Sequence, residues 1–232
     1  MSTPRRVLAL LVLATACNAA LAERSRLGEE AGLVEAGDCE VETAFERRSV
    51  PGSPRERATS IQLDCGVGWN TELAASFGRT RGGGAPRDDA ASLEMKTTLR
   101  QRGDGRVGWA LVLGVGGERQ AGTSWRRSEH SVVLEATLEP APGWLLEAKI
   151  GSARDRYARH DTTHGLLGVE HALMDTLEAR AEIDADDRRR PLLRVSLRWQ
   201  FWPDTAALRV SYGARSGWER ERRVGAAFSF EF

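Results

Sequence analysis

The sequence has almost no lysine. Of its 33 basic residues only Lys96 and Lys149 are lysines, and the others are arginines. It also has no apolar run beyond residue 22 that approaches the roughly 20 residues of a membrane-spanning helix. The formal net charge is zero, and the arginines do not interleave with aromatic residues on one face, so nothing indicates nucleic-acid binding. No nucleotide-binding or cofactor motif is present, because RGGGAP lacks the lysine and the strand–helix context of a phosphate loop.

The first 22 residues have the features of a secretory signal peptide. A basic start at Arg5 and Arg6 precedes the apolar stretch 7–16, and the small residues of Ala20-Leu21-Ala22 precede a cleavage site before Glu23. An alternative is lipoprotein processing at Cys17, which the sequence leaves open. We therefore expect residues 1–22 to be a signal peptide, residues 23–37 a short N-terminal segment, and residues 38–232 one folded domain.

Apolar and polar residues alternate in twelve segments of the exported part. In the last, VGAAFSFEF, the apolar residues Val224, Ala226, Phe228, Phe230 and Phe232 occupy every second position. A period of two is that of a β-strand with one apolar face, whereas a helical period would scatter charges over both faces. No acidic or basic residue falls on the apolar positions of the twelve segments, and His171 is the only intruder.

The connections between the twelve segments alternate in length. Six are long and rich in arginine, and the five between them are tight, for example GWN, PAPG and WPDT. An even strand count with short turns at one rim and long loops at the other resembles the bacterial outer-membrane β-barrel proteins. The resemblance implies an all-β fold, a closed antiparallel up-and-down transmembrane β-barrel of about 12 strands, with both termini in the periplasm. A soluble β-sandwich or soluble barrel is the competing interpretation, but neither gives the terminal phenylalanine a role.

If the apolar faces meet lipid, the intervening charged residues line the barrel interior. These residues are Glu40, Glu42, Asp64, Glu94, Lys96, Glu135, Glu147, Lys149, Glu178, Arg180, Glu182, Arg194, Arg198 and Arg209. They predict either Arg–carboxylate pairs that brace the wall or a narrow water-filled pore with acidic and basic walls, and the two can coexist. The arginine-rich long loops also suit contacts with outer-membrane lipids and lipopolysaccharide phosphates.

Two cysteines remain after signal cleavage, and an exported chain can oxidise them. Cys39 and Cys65 lie near the short-turn rim of the first hairpin. If Phe45 is roughly opposite Ile61, the sulfurs come within about one residue of register, which predicts a Cys39–Cys65 disulfide.

The closing strand also suggests a partner. An aromatic carboxyl terminus after outward apolar residues resembles the signal read by the outer-membrane assembly machinery, which would assign that role to Phe228, Phe230 and Phe232.

The sequence favours a channel for small polar solutes over two alternatives. One is a non-conducting structural or accessory barrel, for envelope maintenance or polysaccharide export. The other is a hydrolase at the loop rim, for which His130, His160, His164 and nearby aspartates are weak candidates. Because Glu129-His130-Ser131 has the wrong spacing for a catalytic pair and two histidines in a polar loop seldom bind metal, we predict no catalytic residues, no metal site and no cofactor. The sequence does not indicate an oligomeric state.

Overall fold

A computed structural model describes residues 33–82, 85–102, 106–155, 160–203, 205–215 and 220–232, so the expected signal peptide and Cys17 lie outside the described residues. The described chain forms twelve strands: β1 (Cys39–Ser49), β2 (Glu56–Gly68), β3 (Thr71–Gly82), β4 (Ala85–Arg100), β5 (Gly108–Gln120), β6 (Arg126–Ala141), β7 (Trp144–Asp155), β8 (His160–Met174), β9 (Leu177–Asp186), β10 (Leu192–Trp202), β11 (Ala206–Arg215) and β12 (Arg222–Glu231). Within those ranges no helix is long and apolar enough to cross a bilayer.

Each strand pairs with its sequence neighbours, and β12 returns to pair with β1, so the sheet closes into a barrel. Antiparallel pairing runs through the whole wall, which confirms the predicted all-β up-and-down barrel of twelve strands. At the seam, the backbone N–H of Cys39 donates to the carbonyl of Phe232, and the N–H of Phe232 donates to the carbonyl of Cys39, each over 2.9 Å. A closed sheet leaves no unpaired edge, which is the condition for strands to cross hydrocarbon.

The alternating sequence becomes two different faces of the wall. Successive side chains of a strand point to opposite sides of the sheet. On β10 the apolar residues Val195, Leu197 and Trp199 are 45–52% exposed, whereas acidic residues at the intervening positions of other strands are part-buried or buried, and Glu135 and Glu182 are almost completely buried. The exposed apolar set therefore forms the outer face of the barrel, and the buried, mostly polar set forms the inner face.

The first hairpin contains the predicted disulfide. Cys39 lies directly opposite Cys65, and a disulfide bond joins them. The register used to predict it was wrong by two residues, because Phe45 lies opposite Thr59 and Ile61 lies opposite Thr43. The long connection between β1 and β2 does not fix how the two strands align, so the sequence alone could not give the exact register of this hairpin.

Aromatic side chains are exposed at the short-turn rim. They are Trp69, Trp109, Trp144, Trp202 and Phe232. Trp69 and Asn70 have φ of 52° and 55°, the left-handed values that a two-residue hairpin turn with matching twist requires. His171, which interrupts the apolar pattern, stacks on the Trp144 ring with centroids 4.1 Å apart, and its Nδ1 lies 3.1 Å from the Gly143 carbonyl oxygen. The histidine is therefore accommodated at the rim, away from the middle of the apolar face.

Candidate functional site: the charged barrel interior

A chain of ion pairs with alternating sign runs around most of the inner face. Each carboxylate in it except the last contacts the cation before it and the cation after it. The chain passes through residues of β4, β6, β7, β9, β10, β1 and β12 and ends at Glu221, directly before β12. Its order is Lys96, Glu135, Lys149, Glu147, Arg180, Glu182, Arg194, Glu46, Arg223 and Glu221. Buried charges are stable only when paired, so this connectivity explains how the interior tolerates them.

The best-buried part of this ion-pair chain lies on β6, β7 and β9. Lys149 Nζ is 2.9 Å from Glu147 Oε1 and 3.4 Å from Glu135 Oε1, and these three side chains are at most 2% exposed. Arg180 then contacts Glu147, and its Nε donates to Glu182 Oε2 over 3.0 Å. The ammonium of Lys149 and the guanidinium of Arg180 thus connect three carboxylates across the part of the wall from β6 to β9.

Gly168 makes the contact between Arg180 and Glu147 possible. These two residues are on β9 and β7, and β8 lies between them with Gly168 opposite both Glu147 and Glu182. A Cβ at position 168 would lie 3.3 Å from Arg180 Nη2 and 3.6 Å from Glu147 Oε2. The missing side chain leaves the space in which the guanidinium crosses β8.

The seam is also bridged by charge. Arg209 Nη1 on β11 lies 3.8 Å from Glu42 Oε2 on β1. Arg194 and Arg223, from β10 and β12, both reach Glu46 of β1, at 3.8 and 3.4 Å. The acidic first strand and the arginines of the late strands therefore meet, as the pairing of the last strand with the first requires.

Glu221 lies at the long-loop end of the seam, where three arginines surround it. Its Oε1 is 2.5 Å from Arg223 Nε and 3.1 Å from Arg48 Nε, and its Oε2 is 3.4 Å from Arg215 Nε. Burial alone would raise the pKa of Glu221, but Arg223, Arg48 and Arg215 together hold this pKa below its usual value. Glu221 was not predicted as an interior residue because it lies in an arginine-rich loop segment of the sequence. The one sequence feature that pointed to it is the alternation of charge in ERERR.

The predicted interior residues differ in how far they are connected. Seven of them belong to the ion-pair chain: Lys96, Glu135, Glu147, Lys149, Arg180, Glu182 and Arg194. Glu42 pairs with Arg209, and Glu178 pairs with Arg198 at 3.1 Å. Glu40, Asp64 and Glu94 are on β1, β2 and β4, where Glu40 lies opposite Asp64 and Gln62 Nε2 donates to Asp64 over 2.9 Å. The short-turn end of this wall is therefore acidic, whereas the long-loop end at the seam is rich in arginine.

The segment before β1 turns into the short-turn mouth of the barrel. Its Val34 N–H donates to Glu72 Oε2 over 2.9 Å, and Gly37 N–H donates to the Gly66 carbonyl over 2.9 Å. Gly66 belongs to the inner face of β2, and a Cβ there would lie 2.1 Å from the carbonyl oxygen of Glu35. Only a glycine at position 66 leaves room for the backbone of residues 34–37 to lie this close to the inner face of β2. The segment therefore narrows the mouth.

The candidate rim histidines do not converge on one site. His130 is in phase with the outer residues Val132 and Leu134, whereas His164 contacts the inner position Gly151. His160 begins β8, and its side chain is outside the described residues. Among the residues that the structure describes, no group of three or more metal-ligating side chains is present.

The chain folds as a closed twelve-stranded antiparallel β-barrel, and solved structures of outer-membrane proteins share that fold. The COG4313 outer membrane channel from Pseudomonas putida F1 has a TM-score of 0.63 at 9% identity, covering 91% of this chain and 100% of that chain. The KdgM porin has a TM-score of 0.59 at 9% identity, covering 82% and 99%. The β domain of the Bordetella autotransporter BrkA has a TM-score of 0.52 at 18% identity, covering 84% and 99%. At these identities the likeness concerns the fold.

The family described as "Uncharacterised conserved protein UCP029691" matches residues 8–214, which is most of the chain, and the chain belongs to this family. No curated protein matches the sequence significantly.

Proposed function

We propose that the protein is a narrow channel of the bacterial outer membrane for small polar solutes, with both termini in the periplasm. The observation that carries the proposal is the continuous ion-pair chain on the inner face of a closed barrel whose outer face is apolar. An apolar outer face suits hydrocarbon, and a charged inner face suits water and polar solutes. The residues predicted from the sequence as interior, including Glu40, Asp64 and Glu94, would line this path.

The charges divide the proposed path into two zones. At the long-loop end of the seam, Arg48, Arg215 and Arg223 surround Glu221, while Glu56 also pairs with Arg48 and Glu46 with Arg223. At the short-turn end of β1–β3, Glu40, Asp64 and Glu72 are acidic, and the segment around Val34 narrows the mouth. An arginine-rich entrance favours anionic solutes arriving from the loop side. The KdgM porin has been solved in complex with oligogalacturonate, so carboxylated sugars are sensible test solutes for this chain.

Planar-bilayer recording tests the proposal. Folded protein should give discrete single-channel currents, and Arg215→Gln should lower the anion-to-cation permeability ratio because it removes one positive charge from the long-loop end. Arg154→Gln is the matched control, since Arg154 is an exposed residue of the outer face, in phase with Ile150, and pairs with exposed Asp161. Absence of current from protein with the heat-modifiable gel mobility of a folded barrel would rule out the channel.

A non-conducting structural barrel is the second candidate, and the depth of burial favours it. As whole residues, Glu135 and Glu221 are only 1% exposed and Lys149 is 5% exposed. Side chains therefore fill much of the interior on the β6–β9 side and at the seam. In that case the ion-pair chain would brace the wall only. Correctly folded protein without conductance, but with an envelope defect on gene deletion, would support this alternative.

A further inference from the structure

Three arginines lie directly opposite one another on the outer face, at the long-loop end. Arg47 of β1 is in register with Arg57 of β2, and Arg57 is in register with Arg81 of β3. All three are in phase with the exposed apolar residues of their strands; Phe45, for example, precedes Arg47 by two positions on β1. We call Arg47, Arg57 and Arg81 the outer arginine row.

Within the part of the chain that the structure describes, the outer arginine row has no counter-charge. Directly opposed like charges on neighbouring strands destabilise a sheet. Among the described residues, no ion pair involves Arg47, Arg57 or Arg81. Two other arginines of the same face do have a counter-charge. Arg79 and Arg119 each lie 2.6 Å from Asp89, so one carboxylate compensates one of the two positive charges.

The surroundings extend this excess of positive charge. Arg222 of β12 is in register with Ser49, at the same end of β1 and in phase with exposed Val224. Arg119 lies over the Trp125 ring, 5.1 Å from its centroid, and Trp125 contacts Phe77 with centroids 6.4 Å apart. Among the residues whose side chains the structure describes, the outer face of β12 and β1–β5 thus carries six arginines around one aspartate, directly beyond the apolar band.

We infer that the outer arginine row binds the phosphate groups of lipid A, the phosphorylated glycolipid of lipopolysaccharide, in the outer leaflet. Guanidinium groups bind phosphate through two parallel hydrogen bonds, and a phosphate between neighbouring arginines would remove the like-charge repulsion. The exposed apolar residues below the row, such as Phe45, would face the acyl chains of the same lipid. A soluble anion would gain nothing from this apolar neighbour, which is why a lipid phosphate is the better fit. The inference rests on the proposed outer-membrane orientation with the long loops outward, and it is independent of conduction.

Lipid retention by folded protein in detergent tests this inference. Native mass spectrometry should compare bisphosphorylated lipid A with the same lipid after removal of both phosphates. The test variant is Arg47→Gln/Arg57→Gln/Arg81→Gln. The control variant is Arg154→Gln/Arg188→Gln/Arg189→Gln, which removes the same charge from the end of β7 and from the β9–β10 connection, on the opposite side of the barrel. Folding of each variant is checked by heat-modifiable gel mobility.

Wild-type protein should bind bisphosphorylated lipid A at least about tenfold more tightly than the dephosphorylated lipid, because charge-assisted hydrogen bonds from arginine to phosphate are stronger than hydrogen bonds between neutral groups. The row variant should lose that preference, and the control should keep it. Equal binding of the two lipids, equal loss in both variants, or binding of free inorganic phosphate as tight as that of lipid A would overturn the inference. Because the row lies on the outer face, single-channel currents of the row variant should be unchanged, so a failure here leaves the channel proposal standing.

Discussion

Replacement of Glu147 by glutamine is the sharpest test of the ion-pair chain. The Glu147 side chain is 1% exposed and contacts two cations, Lys149 Nζ at 2.9 Å and Arg180. Glutamine keeps the shape and removes the negative charge. Loss of one partner from a buried ion pair costs about 3–5 kcal/mol, because an uncompensated charge remains in the interior.

The structure places the Glu147→Gln cost at the lower end of that range. Lys149 retains Glu135 at 3.4 Å, and Arg180 retains Glu182 at 3.0 Å, so neither cation becomes isolated. We therefore expect a loss of about 3 kcal/mol in the free energy of unfolding. Glu178→Gln is the matched control, because its pair with Arg198 has side chains 26% and 21% exposed, and an exposed pair contributes about 0.2–1 kcal/mol.

The assay is reversible urea unfolding in lipid vesicles, followed by tryptophan fluorescence. Unfolding free energies of the two variants should differ by about 2 kcal/mol. If Glu147→Gln and Glu178→Gln cost the same within error, the buried chain does not hold the wall together, and the reasoning from burial fails.

Four further changes probe other parts of the molecule. Gly66→Ala should displace the N-terminal segment, because a Cβ at position 66 would lie 2.1 Å from the Glu35 carbonyl oxygen. Hydrogen exchange of the Gly37 amide should then accelerate, and an unchanged rate would contradict the placement of this segment against β2. Cys65→Ser should lower the free energy of unfolding by up to about 3.5 kcal/mol, from the chain entropy of a loop closed over a separation of 26 residues, and the wild type under reducing conditions should match it. The pKa of Glu221 in the folded protein lies below its usual value of 4.5, so the Glu221 carboxylate stabilises the fold fully above pH 4.5 and loses this effect as the pH falls through the folded pKa. Glu221→Gln should therefore shift the midpoint of acid unfolding, and identical pH profiles of the variant and the wild type would refute this. Deletion of Phe232 removes two backbone hydrogen bonds at the seam and the proposed assembly signal, so the folded fraction in the envelope should fall while the conductance of each folded molecule is retained.

The strands and their two faces could be predicted because alternation is a local property. A period of two is visible within any single segment, and Leu193 to Phe201 or Val224 to Phe232 need no other part of the chain to be interpreted. Register is different, because it depends on how two strands slide past each other. The offset at Phe45 and Ile61 shows this: the disulfide was predicted, yet the pairing that was used to predict it was shifted.

The partners of the inner charges could not be predicted for a related reason. Arg180 reaches Glu147 across a whole strand, and this contact depends on the stagger of three strands and on the missing side chain at Gly168. Nor does the sequence indicate that the segment around Val34 enters the mouth, because a short segment without periodicity gives no pattern. The one sequence feature associated with this contact was Gly66, and a glycine within a strand can occur for several different structural reasons.

The contact across Gly168 has a consequence for the size of the barrel. Lys96 on β4 reaches Glu135 on β6, Arg180 on β9 reaches Glu147 on β7, and Arg194 on β10 reaches Glu46 on β1. Each of these contacts acts like a strut spanning strands that do not pair with each other. A hairpin therefore cannot be removed or inserted between the ends of such a strut without separating buried opposite charges. Backbone pairing alone would tolerate a barrel of ten or fourteen strands, and the inner charges oppose a change of strand number within the spans β4–β6, β7–β9 and β10–β1.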